Sequence, residues 1–332
     1  MEKTKTWEPL FATLAPGRGG ARVPVAALIG PTAVGKTALS LELASFLNAE
    51  VISVDSRQVY RYMDVGTDKI SPAERREVLH HLIDVADPDE VFSVASFTKL
   101  AREAAARIRE RGRTPLFVGG TPFYYHVLFH GAMNEGLPED RETRNRFERL
   151  AETEGPEALH RMLAEIDAET AARLHPHDVR RVSRALELHA LTGTPPSRLY
   201  AEGEKMHSDM DVLYIGLNRP RAELHENIAS RVRRQFASGY PEEVQWLLEN
   251  GFDESCPSMQ GFGYRELTAW RRGKMTLEEA LEGDIRRTKV FCHRQITWFS
   301  KFSPTLWYDT SALSVGKLGE AVFEAVKKHL KL

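Results

Sequence analysis

The clearest pattern along the chain is a series of short, wholly apolar runs, each followed by helical spacing. VAALI at 25–29 contains no polar residue, as expected of a strand buried on both faces. Helical spacing follows over 37–47, and EVISV at 50–54 reads as a second strand ending at Asp55. An alanine-rich helical stretch over 96–111 leads to a third apolar run at 115–118, closed by Gly119 and Gly120. This alternation predicts a parallel, doubly wound α/β sheet. From Gly131 the character changes. Residues 132–205 show helical patterns without a convincing strand, broken at Gly155-Pro156, His175-Pro176 and 193–196. DVLYIGL at 211–217 is again a strand. After Pro220, a residue suited to a first helical position, Leu224, Ile228, Val232 and Phe236 recur every four residues. Gly239 punctuates that helix, and Pro241 and Gly251 bracket another. A long amphipathic helix is predicted over 284–301 and a last strand over 305–308.

Composition narrows the classes. The chain has 332 residues, 42% apolar and 28% charged, which excludes collagen, a disordered protein and a disulfide-stapled mini-domain. There is no run of 18 apolar residues, so no membrane partner is expected. Cys256 and Cys292 lack metal-ligand spacing and read as reduced thiols of a cytoplasmic protein. His80-His81 and the pair His175 and His177 have no third ligand nearby in sequence and read as surface or capping residues. The net charge of −2 decides nothing about nucleic acid, because a local basic face is what matters.

GPTAVGKT at 30–37 fits GxxxxGK[ST] between an apolar strand and a helix. Such a loop, here Gly30, Pro31, Thr32, Ala33, Val34 and Gly35, curls round phosphate oxygens, and the helix N-terminus adds partial positive charge. Lys36 supplies a full charge, and the Thr37 hydroxyl can ligate Mg²⁺. The motif grips a di- or triphosphate without specifying which. The third strand ends in Gly119-Gly120-Thr121, where many P-loop enzymes carry a Mg²⁺-supporting Asp, which argues against an ordinary NTPase. The expected fold is therefore a P-loop NTPase-like parallel sheet core, 23–131 and 206–332, with an α-helical insertion domain at 132–205. Residues 1–22, with Pro16, Gly17, Gly19 and Gly20, read as a disordered leader.

Asp55 ends the second strand, at the sheet edge that faces the ligand crevice in open α/β folds. It reads as a general base, as a carboxylate supporting Mg²⁺, or as a ribose ligand. Two basic tracts follow. Arg180, Arg181 and Arg184 lie on a helical stretch with Val179, Val182 and Leu186 as its apolar side, and Arg180 and Arg184 share a face by their spacing. Residues 285–308 contain no acid, yet hold Arg286, Arg287, Lys289, Arg294 and Lys301 interleaved with His293, Gln295 and Trp298. That mixture suits phosphate contact and base stacking, or equally a core-packed helix with a solvated basic face. The turn at 258–266 (SMQGFGYRE) can read unstacked bases or simply join two helices. On residues alone, a small-molecule kinase and an RNA-binding protein with a nucleotide switch both stay open.

Nine blocks in order close that gap: GPTAVGKT (30–37), DSRQVY (55–60), MDVGTDK (63–69), HHLIDVADP (80–88), FSVASF (92–97), VGGTPFY (118–124), HPHDVRRVSRALE (175–187), QGFGYRE (260–266) and HRQITWF (293–299). With them the sequence resembles the tRNA dimethylallyltransferase (tRNA isopentenyltransferase) family over about 25–308. The resemblance implies transfer of a dimethylallyl group from dimethylallyl diphosphate to N6 of the adenosine 3′ of the anticodon, position 37, in tRNAs reading codons beginning with U. It implies that the P-loop, Lys36, Thr37 with Mg²⁺, and Arg231 hold the donor diphosphate, that Asp55 is the base, and that Thr121 lies beside the acceptor nucleotide. The adenosine would flip out of its loop to reach Asp55. The tRNA-facing set it implies, besides Asp55 and Thr121, is Ser56, Arg57, Gln58, Arg144, Arg180, Arg181, Val182, Ser183, Arg184, Gln260, Gly261, Phe262, Gly263, Tyr264, Arg265, His293, Arg294, Gln295 and Trp298. The partners are then the anticodon stem-loop and the prenyl donor, acted on by a monomer in the cytoplasm. The chain departs from the family with Cys292-His293 for the frequent Ala-Lys, Gly261-Phe262 for Ala-Ile, and Pro122-Phe123 after Thr121. None of these touches Lys36, Thr37, Asp55 or Arg231.

Overall fold

The computed structural model describes residues 22–131, 137–203, 209–312 and 314–332. Its centre is one six-stranded sheet of β1 (Val23–Ile29), β2 (Ala49–Val54), β3 (His80–His81), β4 (Thr114–Gly119), β5 (Met210–Asn218) and β6 (Thr305–Asp309). The strand order is β3-β2-β4-β1-β5-β6, and every pairing is parallel. Around it run α1 (Lys36–Phe46), α2 (Pro72–Glu77), α3 (Val94–Glu110) and α4 (Pro122–His130). Then come α5 (Arg141–Glu154), α6 (Pro156–Ile166), α7 (Ala168–Arg173), α8 (Val179–Thr192) and α9 (Pro196–Gly203). After β5 follow α10 (Arg221–Ala237), α11 (Tyr240–Glu249), α12 (Tyr264–Arg271), α13 (Leu277–Phe299) and α14 (Val315–Leu330).

The all-apolar β1 is explained by its place between β4 and β5, covered on both faces. Ala26 and Leu28 point into a core with Leu39 and Leu43 of α1 and Ile228 of α10. Val25, Ala27 and Ile29 point the other way, towards Phe97 of α3, Tyr125 of α4 and Phe299 of α13. A third core, including Val59, Tyr60, Tyr240, Tyr264 and Leu267, fastens the segment after β2 onto α11 and α12. The helices α5 to α8 enclose a core of their own around Phe147, Leu159, Leu163, Val182 and Leu186. The boundaries read at 132 and 205 lie outside the described residues, as does nearly all of the leader, 1–21.

Three differences from the sequence reading stand out. His80-His81 forms β3, too short for any periodicity to announce. His81 is no surface or capping residue: its Nε2 lies 2.6 Å from the buried Glu50 carboxylate, which also accepts from Arg111 at 2.6 Å. The long helix starts at Leu277, earlier than expected, because Thr276 and Glu279 form a reciprocal capping box. The closing helix α14 was not anticipated, although Leu318, Val322 and Val326 carry the four-residue spacing that buries its inner face.

Candidate functional site: a phosphate loop beside a carboxylate

The ends of β1, β2 and β4 open on a cavity of about 490 Å³. Its floor is the loop from β1 to α1. Gly30 holds φ at +151°, and a Cβ there would come within 2.7 Å of the Leu217 carbonyl oxygen of β5, so the loop starts only with glycine. Gly35 caps α1 with φ +103°. The helix thus begins at Lys36, its free N–H groups directed at the cavity. Lys36 Nζ donates to the carbonyl oxygens of Gly30 (3.0 Å) and Pro31 (2.7 Å). Burial lowers its pKa to about 8, offset in part by the nearby negative charge of Asp55 and reinforced by the positive charge of Arg231. Neutral carbonyls hold this ammonium; a bound anion would satisfy it far better.

Asp55 follows β2 and lines the same cavity. Its Oδ1 accepts the N–H groups of Arg57 (2.8 Å) and Gln58 (3.2 Å), which fixes the carboxylate at the cavity wall. The Thr121 hydroxyl accepts the Ser56 N–H at 3.1 Å, tying the end of β4 to the Asp55 loop. These strand ends lie so close that a Cβ on Gly119 would sit 2.0 Å from the Val54 carbonyl oxygen, which accounts for the glycine there. Gln58 turns inward, its amide nitrogen donating to the carbonyls of Thr67 and Asp68 at 3.3 Å each.

The third wall comes from α10 and the 63–69 segment. Arg231 Nη1 lies 3.4 Å from Asp68 Oδ2. Asn227, Ser230 and Arg234 line the cavity beside it, residues that sequence reasoning missed although their helical spacing from Arg231 was legible. The 63–69 segment is held by a residue with no sequence signal, Glu243 of α11. Its carboxylate accepts the N–H groups of Asp64 (2.7 Å), Val65 (2.6 Å) and Gly66 (3.1 Å), and the Tyr264 hydroxyl at 2.7 Å. Burial raises the Glu243 pKa against these bonds.

The 258–266 turn supplies Phe262 and Tyr264 to the cavity wall. Arg57 crosses to it, donating to the Ser258 carbonyl with its guanidinium 5.8 Å from the Tyr264 ring centroid. A Cβ on Gly261 would overlap that guanidinium. Gln260 and Arg265 are exposed, whereas Gly263 and Tyr264 are buried. On α13, His293, Arg294 and Trp298 are exposed around a shallow depression with Thr297 and Lys301, and Trp298 lies 6.1 Å from Phe123.

Several residues expected to face tRNA do not. Val182 and Ser183 are fully buried: Val182 lies on the apolar side of α8 that the spacing marks, and the small Ser183 beside it is covered as well. Gln295 is buried too: its Oε1 accepts the Thr32 N–H at 2.9 Å and its Nε2 donates to the Gly120 carbonyl at 2.5 Å. Arg144 and Arg184 converge on Glu187, whose carboxylate is wholly buried. Arg144 Nε lies 2.7 Å from Oε2 and Arg184 Nη1 2.9 Å from Oε1. Arg184 therefore does not share a free face with Arg180. Arg180 and Arg181 are exposed, with Arg181 3.3 Å from Asp178.

No group of three His, Cys, Asp or Glu side chains placed to hold a metal exists among the described residues. The exposed Thr37, at the start of α1 and on the cavity wall, fits the other mode: a Mg²⁺ that arrives on diphosphate oxygens and takes one protein hydroxyl.

Strand, glycine loop and helix N-terminus on one side, and a fixed carboxylate on the other, define a P-loop NTPase-like α/β protein. More particularly, the chain belongs to the IPP transferase family, whose model matches residues 58–302; an isopentenyl transferase model matches 23–84. Among its relatives is the tRNA dimethylallyltransferase of Dictyoglomus turgidum, 42% identical over 305 residues, spanning 92% of this chain and 93% of the relative. That of Thermomicrobium roseum is 45% identical over 290 residues, 87% of each chain. The crystal structure of full-length tRNA isopentenylpyrophosphate transferase from Bacillus halodurans superposes with TM-score 0.69 at 38% identity, covering 93% of this chain and 97% of that one. A eukaryotic dimethylallyltransferase acting on tRNA gives TM-score 0.77 at 28% identity, covering 92% and 78%.

Proposed function

We propose that this protein transfers the dimethylallyl group of dimethylallyl diphosphate to N6 of the adenosine at position 37 of tRNAs that read codons beginning with U. The observation that carries this reading is the shared cavity: Lys36 and Arg231 line it together with Asp55. Cations there suit a diphosphate, and the carboxylate beside them suits the nucleophile that displaces it.

In the reaction, the N6–C1 bond forms as the C1–O bond to diphosphate breaks, and that electron pair leaves with the diphosphate. The exocyclic amine is a weak nucleophile because its lone pair is delocalised into the purine. Asp55 accepts the N6 proton as the new bond forms. The N–H groups of Arg57 and Gln58 keep its carboxylate aimed. Lys36 and the N–H groups at the start of α1 stabilise charge that grows on the departing diphosphate, and Arg231 joins them by exchanging Asp68 for the ligand. Thr121 orients the acceptor through its bridge to Ser56. Mg²⁺, held by diphosphate oxygens and Thr37, would supply further charge neutralisation on the leaving group.

The anticodon stem-loop approaches the exposed basic and aromatic groups of α13, His293, Arg294 and Trp298, with Gln260 and Arg265 on the 258–266 turn and Arg180 and Arg181 on the helical segment. The target base flips out to enter the cavity. A cytoplasmic monomer acting on one stem-loop belongs to the same proposal; no described helix is long and apolar enough to cross a membrane. The test is incubation with unmodified tRNA and dimethylallyl diphosphate, then mass analysis of the nucleosides. Dimethylallyladenosine with released diphosphate is expected. Transfer of a γ-phosphate from ATP, or nucleotide-dependent RNA binding with unaltered RNA, would overturn the proposal.

A further inference from the structure

The inward face of α13 carries Cys292, Gln295 and Phe299, spaced by three and four residues. Gln295 is the one whose side chain is bonded at both ends. Its carbonyl oxygen accepts the Thr32 N–H of the phosphate loop, 263 positions away, and its amide nitrogen donates to the Gly120 carbonyl, 175 positions away. Gly120 directly precedes Thr121, whose hydroxyl accepts the Ser56 N–H next to Asp55. A continuous bonded path therefore runs from the donor loop through Gln295 to the acceptor side of the cavity.

The glycine at 120 belongs to this arrangement. A Cβ there would lie 2.6 Å from Gln295 Nε2 and 3.7 Å from Lys36 Nζ. A side chain at that position would displace the amide, and an acidic one would pair with Lys36 and neutralise it. The absence of an Asp at the end of β4 thus has a positive counterpart: the space is taken by a neutral amide arriving from α13. Because Gln295 is neutral and makes directional bonds, it fixes the loop without cancelling the charge that a diphosphate needs.

We infer that Gln295 is a positioning residue that holds the donor loop and the acceptor-side loop in register, and is not an RNA contact. This inference rests on the prenyl-transfer reading, but its first measurement does not. The experiment compares the full-length protein with Gln295→Leu, Gly120→Ala and the double variant. Pyrophosphate affinity is measured by calorimetry. Then kcat and the separate KM values for dimethylallyl diphosphate and tRNA are measured, with thermal melting to normalise for folded protein.

Gln295→Leu orphans the Thr32 N–H and the Gly120 carbonyl, so pyrophosphate affinity should fall about tenfold, with donor KM rising and kcat falling by similar factors. The KM for tRNA should stay within about twofold. Gly120→Ala should give the same pattern more weakly, and the double variant should be no worse than Gln295→Leu, the non-additivity of two lesions in one bond. A rise confined to the KM for tRNA would show an RNA contact and overturn the inference. So would additive lesions, or a lower Tm with unchanged constants for the folded fraction. If the wild type binds pyrophosphate and loses this affinity in the variants but transfers no prenyl group, the positioning role stands and the reaction assignment falls.

Discussion

Two clusters of cations in this molecule look alike in sequence and are physically opposite. In the phosphate cradle, Lys36 is buried against neutral carbonyls, and its pKa is pulled down to about 8. In the helical segment, Arg144 and Arg184 are bonded to a buried carboxylate, Glu187, which also accepts the Asp140 N–H at 2.7 Å. Burial pushes the Glu187 pKa up, yet the bonds from Arg144, the Asp140 N–H and Arg184 hold it below the ordinary value. The first cluster holds a buried ammonium on neutral carbonyl oxygens and so suits an anionic ligand. The second is already neutralised and contributes to folding. A basic residue locked to a wholly buried carboxylate is spent on the fold, whereas one held by carbonyl oxygens or by an exposed carboxylate can exchange that partner for a ligand.

The contrast between the two clusters can be broken in four places. The largest expected effect lies beside the cradle. Asp55→Ala should lower single-turnover prenyl transfer about 10²- to 10⁴-fold while pyrophosphate binding, followed by calorimetry, persists. Near-normal turnover would remove the base.

Next is the helical segment. Glu187→Ala leaves two arginines part-buried without their carboxylate. It should cost about 3 kcal/mol, the low end for a broken buried pair because both guanidiniums keep some exposure. Denaturant unfolding measures this, and wild-type stability would mean that Glu187 is not the hub described. The same pair carries a pH dependence. A carboxyl group whose pKa is lowered by folding stabilises at pH above its unfolded value and loses that contribution as pH falls through the folded value.

Lys36 titrates the other way. On the proposed function its ammonium is the form that would bind diphosphate, and in the free protein it is lost as pH rises through about 8. Pyrophosphate affinity should therefore weaken by up to about tenfold per pH unit above that value. A flat profile between about pH 7.5 and 9.5 would show that Lys36 is not the charge that binds. The smallest effect concerns exposed cations. Arg180→Ala with Arg181→Ala should leave stability unchanged and reduce the salt slope of tRNA binding by about one for each phosphate no longer neutralised. An unchanged slope would place the RNA elsewhere.

Much of this was legible along the chain because it is local. An apolar run, a glycine-rich turn and a helix start occupy consecutive positions from 23 to 46, so β1, the 30–37 loop and α1 declare themselves together. Asp55 is legible for the same reason, as the first residue beyond a buried strand. Arg231 could be matched to a family pattern, but its neighbours Asn227, Ser230 and Arg234 emerged only when α10 was seen against the cavity. Val182 is buried as its place on the apolar side of the 179–186 stretch predicts, and Ser183 is buried with it because a helix's inner face also takes in small polar residues that periodicity assigns to neither side.

What the sequence determined by itself was the chemistry available: a phosphate-binding loop, a carboxylate one strand away, and two tracts of basic residues. What the tertiary structure decided was which of those groups remain unspent. Glu187 reaches Arg144 across 43 residues, and Gln295 reaches Thr32 across 263. Counter-charge and burial come from segments remote along the chain, and electrostatic strength depends on distance and desolvation in space, so no linear pattern can assign them.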